Sequence, residues 1–265
     1  MSKMVLITGG APEHIYLANR LASAFPIEAI LIDVGAPLSR RQRLKRIRRH
    51  TLTQLLSRTL LKLWLGMSRD HLQCRQDIEG ALGEDSLSFR SPVQTVRGIN
   101  SRDAIDRLRG LSPDILLIYG TAIAGPEVLK TAKIVLNLHS GISPRYRGTY
   151  CAFWPIYNGE PDQVGATVHF CTGQVDGGPI IAQARVSLKQ EDDTTHKAFA
   201  RVVEAGPSLY AEAIRRVEAG YRGEPQDLSA GREYRAVMWG FMQEWRVRRR
   251  IRKGLAAGSG SPGGR

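Results

Sequence analysis

The opening segment of the chain has the pattern of a β-α-β unit, and this pattern constrains the fold more than any other feature. The apolar run 3–8 (KMVLIT) predicts a buried strand that ends at two glycines, and Pro12 suits the first turn of a helix predicted over 13–25. The next apolar run, 27–33 (IEAILID), predicts a second strand. Two strands joined by a helix favour a parallel sheet with helices on its faces.

Later parts of the chain repeat the alternation of strands and helices. Apolar runs predict further strands at 114–119, 134–139, 165–170 and 180–188. A long helical stretch is predicted to end near residue 220, and a helix rich in aromatic and basic residues is predicted over 234–252. We therefore expect an α/β protein with a Rossmann-like, mostly parallel sheet flanked by helices and a short helical extension at its C-terminal side.

The positive charge of the chain is concentrated in two short segments. The formal net charge is +13, and the segments 40–49 (RRQRLKRIRR) and 246–253 (RVRRRIRK) contain seven and six basic residues without an acidic one. These thirteen residues account for the whole excess, so the rest of the chain is neutral. The leucines of 39–66 recur at roughly helical spacing, which predicts a basic amphipathic helix within an insertion at 39–70. We expect this helix either to pack on the sheet or to bind an anionic membrane surface or another anionic partner.

Several classes of protein do not fit the composition. No apolar run approaches the roughly 20 residues that a membrane-spanning helix needs, and the N-terminal residues lack the pattern of a signal peptide. The three cysteines have no CxxC spacing, so neither a disulfide framework nor a metal site is expected. We expect a cytoplasmic protein, with a peripheral position at the inner membrane surface left open by the basic segments.

Three polar residues at strand ends are the best candidates for chemistry. Asn137 and His139 lie two positions apart in the run IVLNLH, so in a strand both side chains point the same way, at the carboxyl end where α/β sheets bind ligands. An amide and an imidazolium can stabilise an oxyanion, and a carboxylate such as Asp176 in the VDGGP turn can orient the imidazole. A purely structural polar pair is the alternative. His169 is interpreted as a packed or edge-strand histidine.

The order of these motifs resembles a known family. NLHSGISPRYRG at 137–148, FWPIYNGE at 153–160 and GATVHF followed by VDGGPIIAQ within 165–183 resemble the formyltransferases that use 10-formyltetrahydrofolate. The resemblance extends over about 113–220. It implies the formyltransferase fold, with a catalytic domain over 1–222. The residues beyond it predict a basic helical extension over 223–253, and the Gly/Ser-rich composition of 254–265 predicts a disordered tail.

The resemblance also implies roles for particular residues. The catalytic asparagine, histidine and aspartate of the family fall on Asn137, His139 and Asp176. Asn137 and His139 would stabilise the oxyanion, and Asp176 would orient His139 and assist proton transfer. The family holds the folate mainly through two loops, which here contain Thr121, Ala122, Ile123, Ala124, Thr172, Gly173, Val175 and Asp176. The acceptor side of the site falls on Arg147, Gly148 and Tyr150.

The acceptor that the resemblance implies is a primary amine. Residues 9–14 (GGAPEH) depart from the phosphate-binding loop of glycinamide ribonucleotide enzymes, and only about 45 residues follow 220, where methionyl-tRNA formyltransferases have a further domain. The leading hypothesis is therefore formyl transfer to an amino sugar on a nucleotide carrier. Charged tRNA as the acceptor and a non-catalytic scaffold or membrane-surface protein are the alternatives. A homodimer is left open.

Overall fold

The computed structural model of the chain describes residues 2–35, 51–189, 192 and 194–253. The basic segment 40–49 and the tail predicted over 254–265 lie outside these residues. In the described part of the chain, no helix combines the length and the apolarity that crossing a bilayer requires.

The first half of the described chain alternates strands and helices as the sequence predicts. Its elements are β1 (Met4–Thr8), α1 (Pro12–Ala24), β2 (Ile27–Asp33), α2 (Leu52–Leu65), α3 (Met67–Leu82), β3 (Val93–Val96), α4 (Arg102–Leu111), β4 (Ile115–Tyr119), α5 (Pro126–Leu129) and β5 (Ile134–His139). The second half adds β6 (Tyr146–Gly148), α6 (Trp154–Asn158), β7 (Gly165–Phe170), β8 (Ile180–Arg185), α7 (Thr195–Glu218), β9 (Arg232–Tyr234) and α8 (Phe241–Arg252).

Seven strands form one sheet in the order β3-β2-β1-β4-β5-β7-β8. The first five strands of this order are parallel, whereas β7 pairs antiparallel with both β5 and β8. The prediction of a mostly parallel sheet is thus confirmed. Strand order reverses at β1, which neighbours β2 on one side and β4 on the other, and such a reversal opens a crevice at the carboxyl ends of the strands.

The two central strands are apolar on both faces because helices cover the sheet on both sides. Every residue of β1 and β4 is buried. One core cluster packs residues of α1 and α7 against one face, and a second packs residues of α4 against the other. Continuous apolar strands of this kind are typical of a parallel sheet with helices on both faces.

In the described part of the predicted insertion 39–70, the number of helices differs from the prediction. Instead of one long helix, the described residues form α2 and α3, and Gly66 between them has the left-handed φ of 56° that ends a helix. Helix α3 continues to Leu82, beyond the predicted end of the insertion. The edge strand β3 was not predicted, because three of its four residues are exposed and it lacks an apolar run.

The C-terminal segment contains the predicted helix and more. Residues 234–252 were predicted as one helix, but the helix α8 begins at Phe241 and Tyr234 belongs to a strand. That strand, β9, pairs with β6 in a separate two-stranded sheet, and Glu224 forms a bridge with Ile180. The domain boundary at 222 stays a prediction, and the residues beyond it are hydrogen-bonded to strands that precede it.

A tyrosine from α7 joins the two strands that lead to the candidate site. Tyr210 is fully buried; its hydroxyl accepts from the amide of Ile118 at 3.1 Å and donates to the carbonyl of Ile118 at 2.6 Å. The carbonyl of Leu136 lies 3.3 Å from the same hydroxyl. Burial raises the pKa of Tyr210, so the group stays a hydroxyl and keeps its donor. The contact ties β4 to β5 one residue before Asn137.

Replacing Tyr210 should therefore destabilise the protein without leaving a large cavity. We expect Tyr210→Phe to lower the free energy of unfolding by about 1–3 kcal/mol, because it leaves a buried amide without its acceptor. Urea denaturation monitored by circular dichroism measures the change. Tyr221→Phe, at a half-buried position on the surface, is the matched control and should change stability by less than about 0.5 kcal/mol. Equal effects of the two substitutions would contradict the role of the Tyr210 hydroxyl.

Candidate active site

Two of the predicted catalytic residues lie side by side at the carboxyl end of β5. Asn137 and His139 alternate with the buried Leu136 and Leu138, so both side chains are on one face of the strand. They line a cavity of about 840 Å³ at the carboxyl ends of the strands, together with residues that follow β4. This volume lies within the usual range of small-molecule sites.

Asp176 brings the other polar groups of the cavity together. It lies in the turn between β7 and β8 and has a left-handed φ of 46°, which aspartate tolerates better than most residues. Its Oδ2 accepts from the backbone amide of Gly148 at 2.8 Å and lies 3.3 Å from His139 Nδ1. Its Oδ1 lies 3.4 Å from Asn137 Nδ2 and 3.4 Å from His169 Nε2. The structure thus brings Asn137 and His139 each into contact with Asp176.

The imidazole of His139 is fixed from both sides. Its Nε2 is 2.8 Å from the carbonyl oxygen of Tyr146, and its Nδ1 faces the carboxylate of Asp176. Both neighbours are acceptors, so the ring uses all of its hydrogen-bonding capacity only when both nitrogens carry protons. The ring of His139 is thus held between two hydrogen-bond acceptors.

His169 belongs to the same group, which the sequence analysis missed. It is buried in β7 directly opposite Asn137 in the antiparallel ladder. Its Nδ1 donates to the carbonyl of Phe170 at 2.8 Å, and its Nε2 lies 3.2 Å from Asn137 Nδ2. The interpretation of His169 as a packed histidine agrees with its burial, but it does not include these contacts. Only the register of β5 with β7 identifies the residue, and a single sequence does not give that register.

The carboxylate of Asp176 is held in its charged form. Burial alone would raise its pKa, but the charge of His139, the hydrogen bond and charge of His169 and the amide of Gly148 outweigh burial. The pKa of Asp176 therefore lies well below its usual range. Because the folded pKa is depressed, the carboxylate stabilises the fold above its unfolded pKa of about 3.9, and this contribution is lost as the pH falls through the folded value.

The depressed pKa of Asp176 predicts how the stability of an Asp176→Asn variant depends on pH. The wild type should exceed the variant in free energy of unfolding by an amount that is constant above about pH 5 and shrinks, by on the order of 1–3 kcal/mol, toward pH 3. Denaturation in urea at a series of pH values measures the difference. Parallel pH profiles of the two proteins would contradict a depressed pKa at Asp176.

The predicted acceptor-side residues occupy different environments. Gly148 and Tyr150 line the cavity, whereas Arg147 is buried behind it and donates from Nη1 to the carbonyl of Val175 at 3.3 Å. Gly148 has a φ of 97° and lies against the backbone of Tyr234, where a side chain would clash. Arg147 thus contacts the Asp176 turn, and the structure does not bring it to the cavity wall.

Tyr150 forms one side of an aromatic wall. It is 40% exposed, has an unusual positive φ of 62° for a bulky residue, and stacks on Trp239 with ring centroids 5.0 Å apart. Phe153 and Phe199 also line the cavity, with their rings 6.0 Å apart. The wall was not predicted from the sequence, since Trp239 comes from the loop before α8 and Phe199 from α7.

The two predicted folate loops border the cavity. All four residues 121–124 line it, as do Thr172, Val175 and Asp176, whereas Gly173 lies in the same loop without reaching the wall. The side chain of Asn100 shapes the first loop by donating to the carbonyl of Ile123 at 2.8 Å and accepting from the amide of Gly125 at 2.6 Å. Backbone groups of both loops are therefore available beside an apolar cavity, which suits a flat heterocycle.

Three other titratable side chains in the cavity, those of His14, Cys151 and Cys171, are uncharged near neutral pH. His14, at the start of α1, packs edge-on against Tyr119 with centroids 5.2 Å apart, and burial lowers its pKa. Burial and then the charge of Asp176 raise the pKa of the Cys151 thiol, and they raise that of Cys171 to about 12. Neither cysteine forms a thiolate near neutral pH, so a cysteine nucleophile does not fit this site.

Comparison with known proteins agrees with the fold. Residues 84–214 match the family model described as formyl transferase. A methionyl-tRNA formyltransferase of Chlorobium chlorochromatii is 30% identical over 146 residues, which are 54% of this chain and 46% of that protein. The bifunctional polymyxin resistance protein ArnA of Wigglesworthia glossinidia brevipalpis is 35% identical over 109 residues, 40% of this chain and 16% of that protein.

Solved structures show the same architecture at low sequence identity. A sugar N-formyltransferase from a Shewanella species superposes with a TM-score of 0.58 at 14% identity, over 95% of this chain and 88% of that one. The sheet with its strand-end cavity is thus a formyltransferase-type α/β fold. Residues 84–214 thus match the formyl transferase family, which confirms the resemblance found in the sequence. The matched segments span less than half of the two curated relatives.

Proposed function

We propose that the protein transfers a formyl group from 10-formyltetrahydrofolate to a primary amine. The observation that carries this proposal is the contact of Asn137, His139 and Asp176 at the wall of a cavity whose other sides are the two loops assigned to the folate. The folate supplies an activated formyl carbon, and the protein has to bind it, orient an amine beside it and stabilise the charge that develops on the formyl oxygen.

Asn137 is suited to stabilise that oxygen. Its amide nitrogen contacts His169 Nε2 at 3.2 Å and Asp176 Oδ1 at 3.4 Å, both long for hydrogen bonds. An oxyanion is a stronger acceptor than a neutral imidazole nitrogen, so it can replace one of these contacts. The imidazolium of His139 adds a positive charge on the same face of β5.

Asp176 is suited to orient the imidazoles. A carboxylate whose pKa is held well below the usual range is a weak base, so its main contributions are the orientation of His139 and the stabilisation of positive charge on that ring. The predicted assistance to proton transfer then runs through the His139–Asp176 pair as a unit. Burial of the pair strengthens both effects because water does not screen them.

The acceptor that we propose is an amino sugar on a nucleotide carrier. The ring of Tyr150, backed by the buried Trp239, gives the acceptor side of the cavity a flat aromatic surface on which a base can stack. The solved Shewanella structure of the same fold is named as a sugar N-formyltransferase, in accord with this acceptor. Charged tRNA is the second candidate, favoured by the relative that is named methionyl-tRNA formyltransferase.

Removing either oxyanion-stabilising group should abolish most of the activity. We expect Asn137→Ala and His139→Ala each to lower kcat by about 10²–10³-fold with unchanged folding, since the first removes a donor to the developing oxyanion and the second removes the proposed positive charge beside it. Mass spectrometry of an amine acceptor after incubation with 10-formyltetrahydrofolate measures formyl addition. Gln94→Ala, on the distant edge strand β3, is the control and should retain wild-type activity. Full activity of both site variants would refute the assignment, and a wild-type protein that neither binds folate nor transfers a formyl group would favour the scaffold hypothesis.

The aromatic wall predicts which acceptor is used. In a panel of nucleotide-linked amino sugars, free amino sugars and charged tRNA, we expect formylation of a nucleotide-linked amino sugar. Tyr150→Ala should raise its KM about tenfold or more, through loss of stacking, with little change in folate affinity. Tyr150→Phe, which keeps the ring, is the matched control. Formylation of charged tRNA alone, or a Tyr150→Ala variant with an unchanged KM, would contradict the proposed acceptor while leaving formyl transfer intact.

A further inference from the structure

Helix α2 carries a row of exposed leucines that the fold does not use. Leu52, Leu56, Leu60 and Leu63 are 79%, 63%, 54% and 74% exposed. Their spacing of four, four and three residues places them within one narrow stripe of the helix. Scattered exposed apolar residues are ordinary, but a continuous stripe of four marks a surface that binds something apolar.

Helix α8 continues this surface with aromatic and basic side chains. Trp64 of α2 packs edge-on against Phe241 with ring centroids 5.2 Å apart, and the amide of Phe241 donates to Ser57 Oγ at 3.1 Å. Beyond this junction, Met242 and Trp245 are exposed on α8. The two helices are joined at this contact, and we call their exposed side chains together the α2–α8 surface.

The charge of the α2–α8 surface has one sign. Arg246, Arg249, Arg252 and Lys253 are exposed on α8, and the guanidinium of Arg249 lies 5.3 Å from the centroid of the Trp245 ring. Helix α2 contains no aspartate or glutamate. The single carboxylate of α8, Glu244, is buried, where it accepts from Arg248 at 2.6 Å and from the Trp239 indole at 3.0 Å. No acidic residue of these two helices therefore faces their exposed cations.

We propose that the α2–α8 surface docks the protein onto an anionic lipid bilayer. The leucine stripe would enter the boundary between headgroups and acyl chains, and the exposed tryptophans Trp64 and Trp245 would lie at headgroup level. The arginines would reach lipid phosphates while their stems stay against apolar surface. Apolar and cationic side chains on one face are what a membrane surface binds, because it offers acyl chains and negative charge within a few ångströms.

Two other occupants fit the surface less well. A second copy of the chain would bring its own cations against these cations, and like charges across an interface are unfavourable. A nucleic acid would pair with the arginines but leave the leucine stripe in water, since its affinity comes mainly from phosphate contacts. The bilayer is the occupant that uses both halves of the surface.

Vesicle flotation tests the proposal without any measurement of formyl transfer. Purified protein at 0.1 M salt should float with vesicles of 70% phosphatidylcholine and 30% phosphatidylglycerol and bind pure phosphatidylcholine much more weakly. Its tryptophan emission should shift to shorter wavelength on binding, since Trp64 and Trp245 are exposed whereas Trp154 and Trp239 are buried. The double variant Leu56→Asn/Leu60→Asn should lower the partition coefficient roughly 100-fold.

A second double variant tests the contribution of the arginines of the α2–α8 surface. Arg246→Gln/Arg249→Gln should lower binding to the anionic vesicles about 30-fold, close to fivefold per charge, and make it less sensitive to salt. The matched control is Leu87→Asn/Arg97→Gln, which changes an exposed leucine and an exposed arginine outside both helices and should bind as the wild type does. Circular dichroism of each variant confirms its folding.

Three outcomes would overturn the proposal. The first is a wild-type protein that does not float with anionic vesicles. The second is a leucine variant that floats as well as the wild type, which would leave only nonspecific attraction of charges. The third is a protein that self-associates in sedimentation through the leucine stripe, or retards RNA at physiological salt through the arginines, while ignoring vesicles.

Discussion

The buried carboxylate of Asp176 is the constraint on which the site depends. A charge removed from water is costly unless it is paired and hydrogen-bonded. The protein meets this cost with His139, His169, the amide of Asn137 and the backbone amide of Gly148. These groups come from β5, β7 and the β6 segment, so one negative charge fixes the relative positions of three parts of the chain.

The sequence predicted those features that depend on local pattern. Apolar runs identified β1 and β4, and the two-residue period of a strand placed Asn137 and His139 on one face. Asp176 followed from the resemblance of the ordered motifs, since a VDGGP turn alone is unremarkable. In each case the information lies within a few neighbouring residues, and this is why a single chain without an alignment is enough.

The features that were missed depend on contacts between distant segments. His169 reaches Asn137 through the register of β5 with β7, and Trp239 lies behind the cavity wall, stacked on Tyr150. Strand β3 forms because β2 offers it a partner, although three of its four residues are exposed. Such pairings depend on tertiary contacts, and the local strand propensity of the residues hardly predicts them.

The pairing of β6 with β9 makes the segment beyond residue 222 part of the site's architecture. The family match ends at 214, yet the backbone of Tyr234 lies against Gly148, whose amide holds the carboxylate of Asp176. Trp239, in the same segment, supports Tyr150. Substitutions in this segment can therefore change the cavity wall at Tyr150, although they lie outside the residues that match the family. The matched residues alone would lack this support. An engineered transfer of the site to another protein would therefore need the region 2–253 and not only the matched residues 84–214.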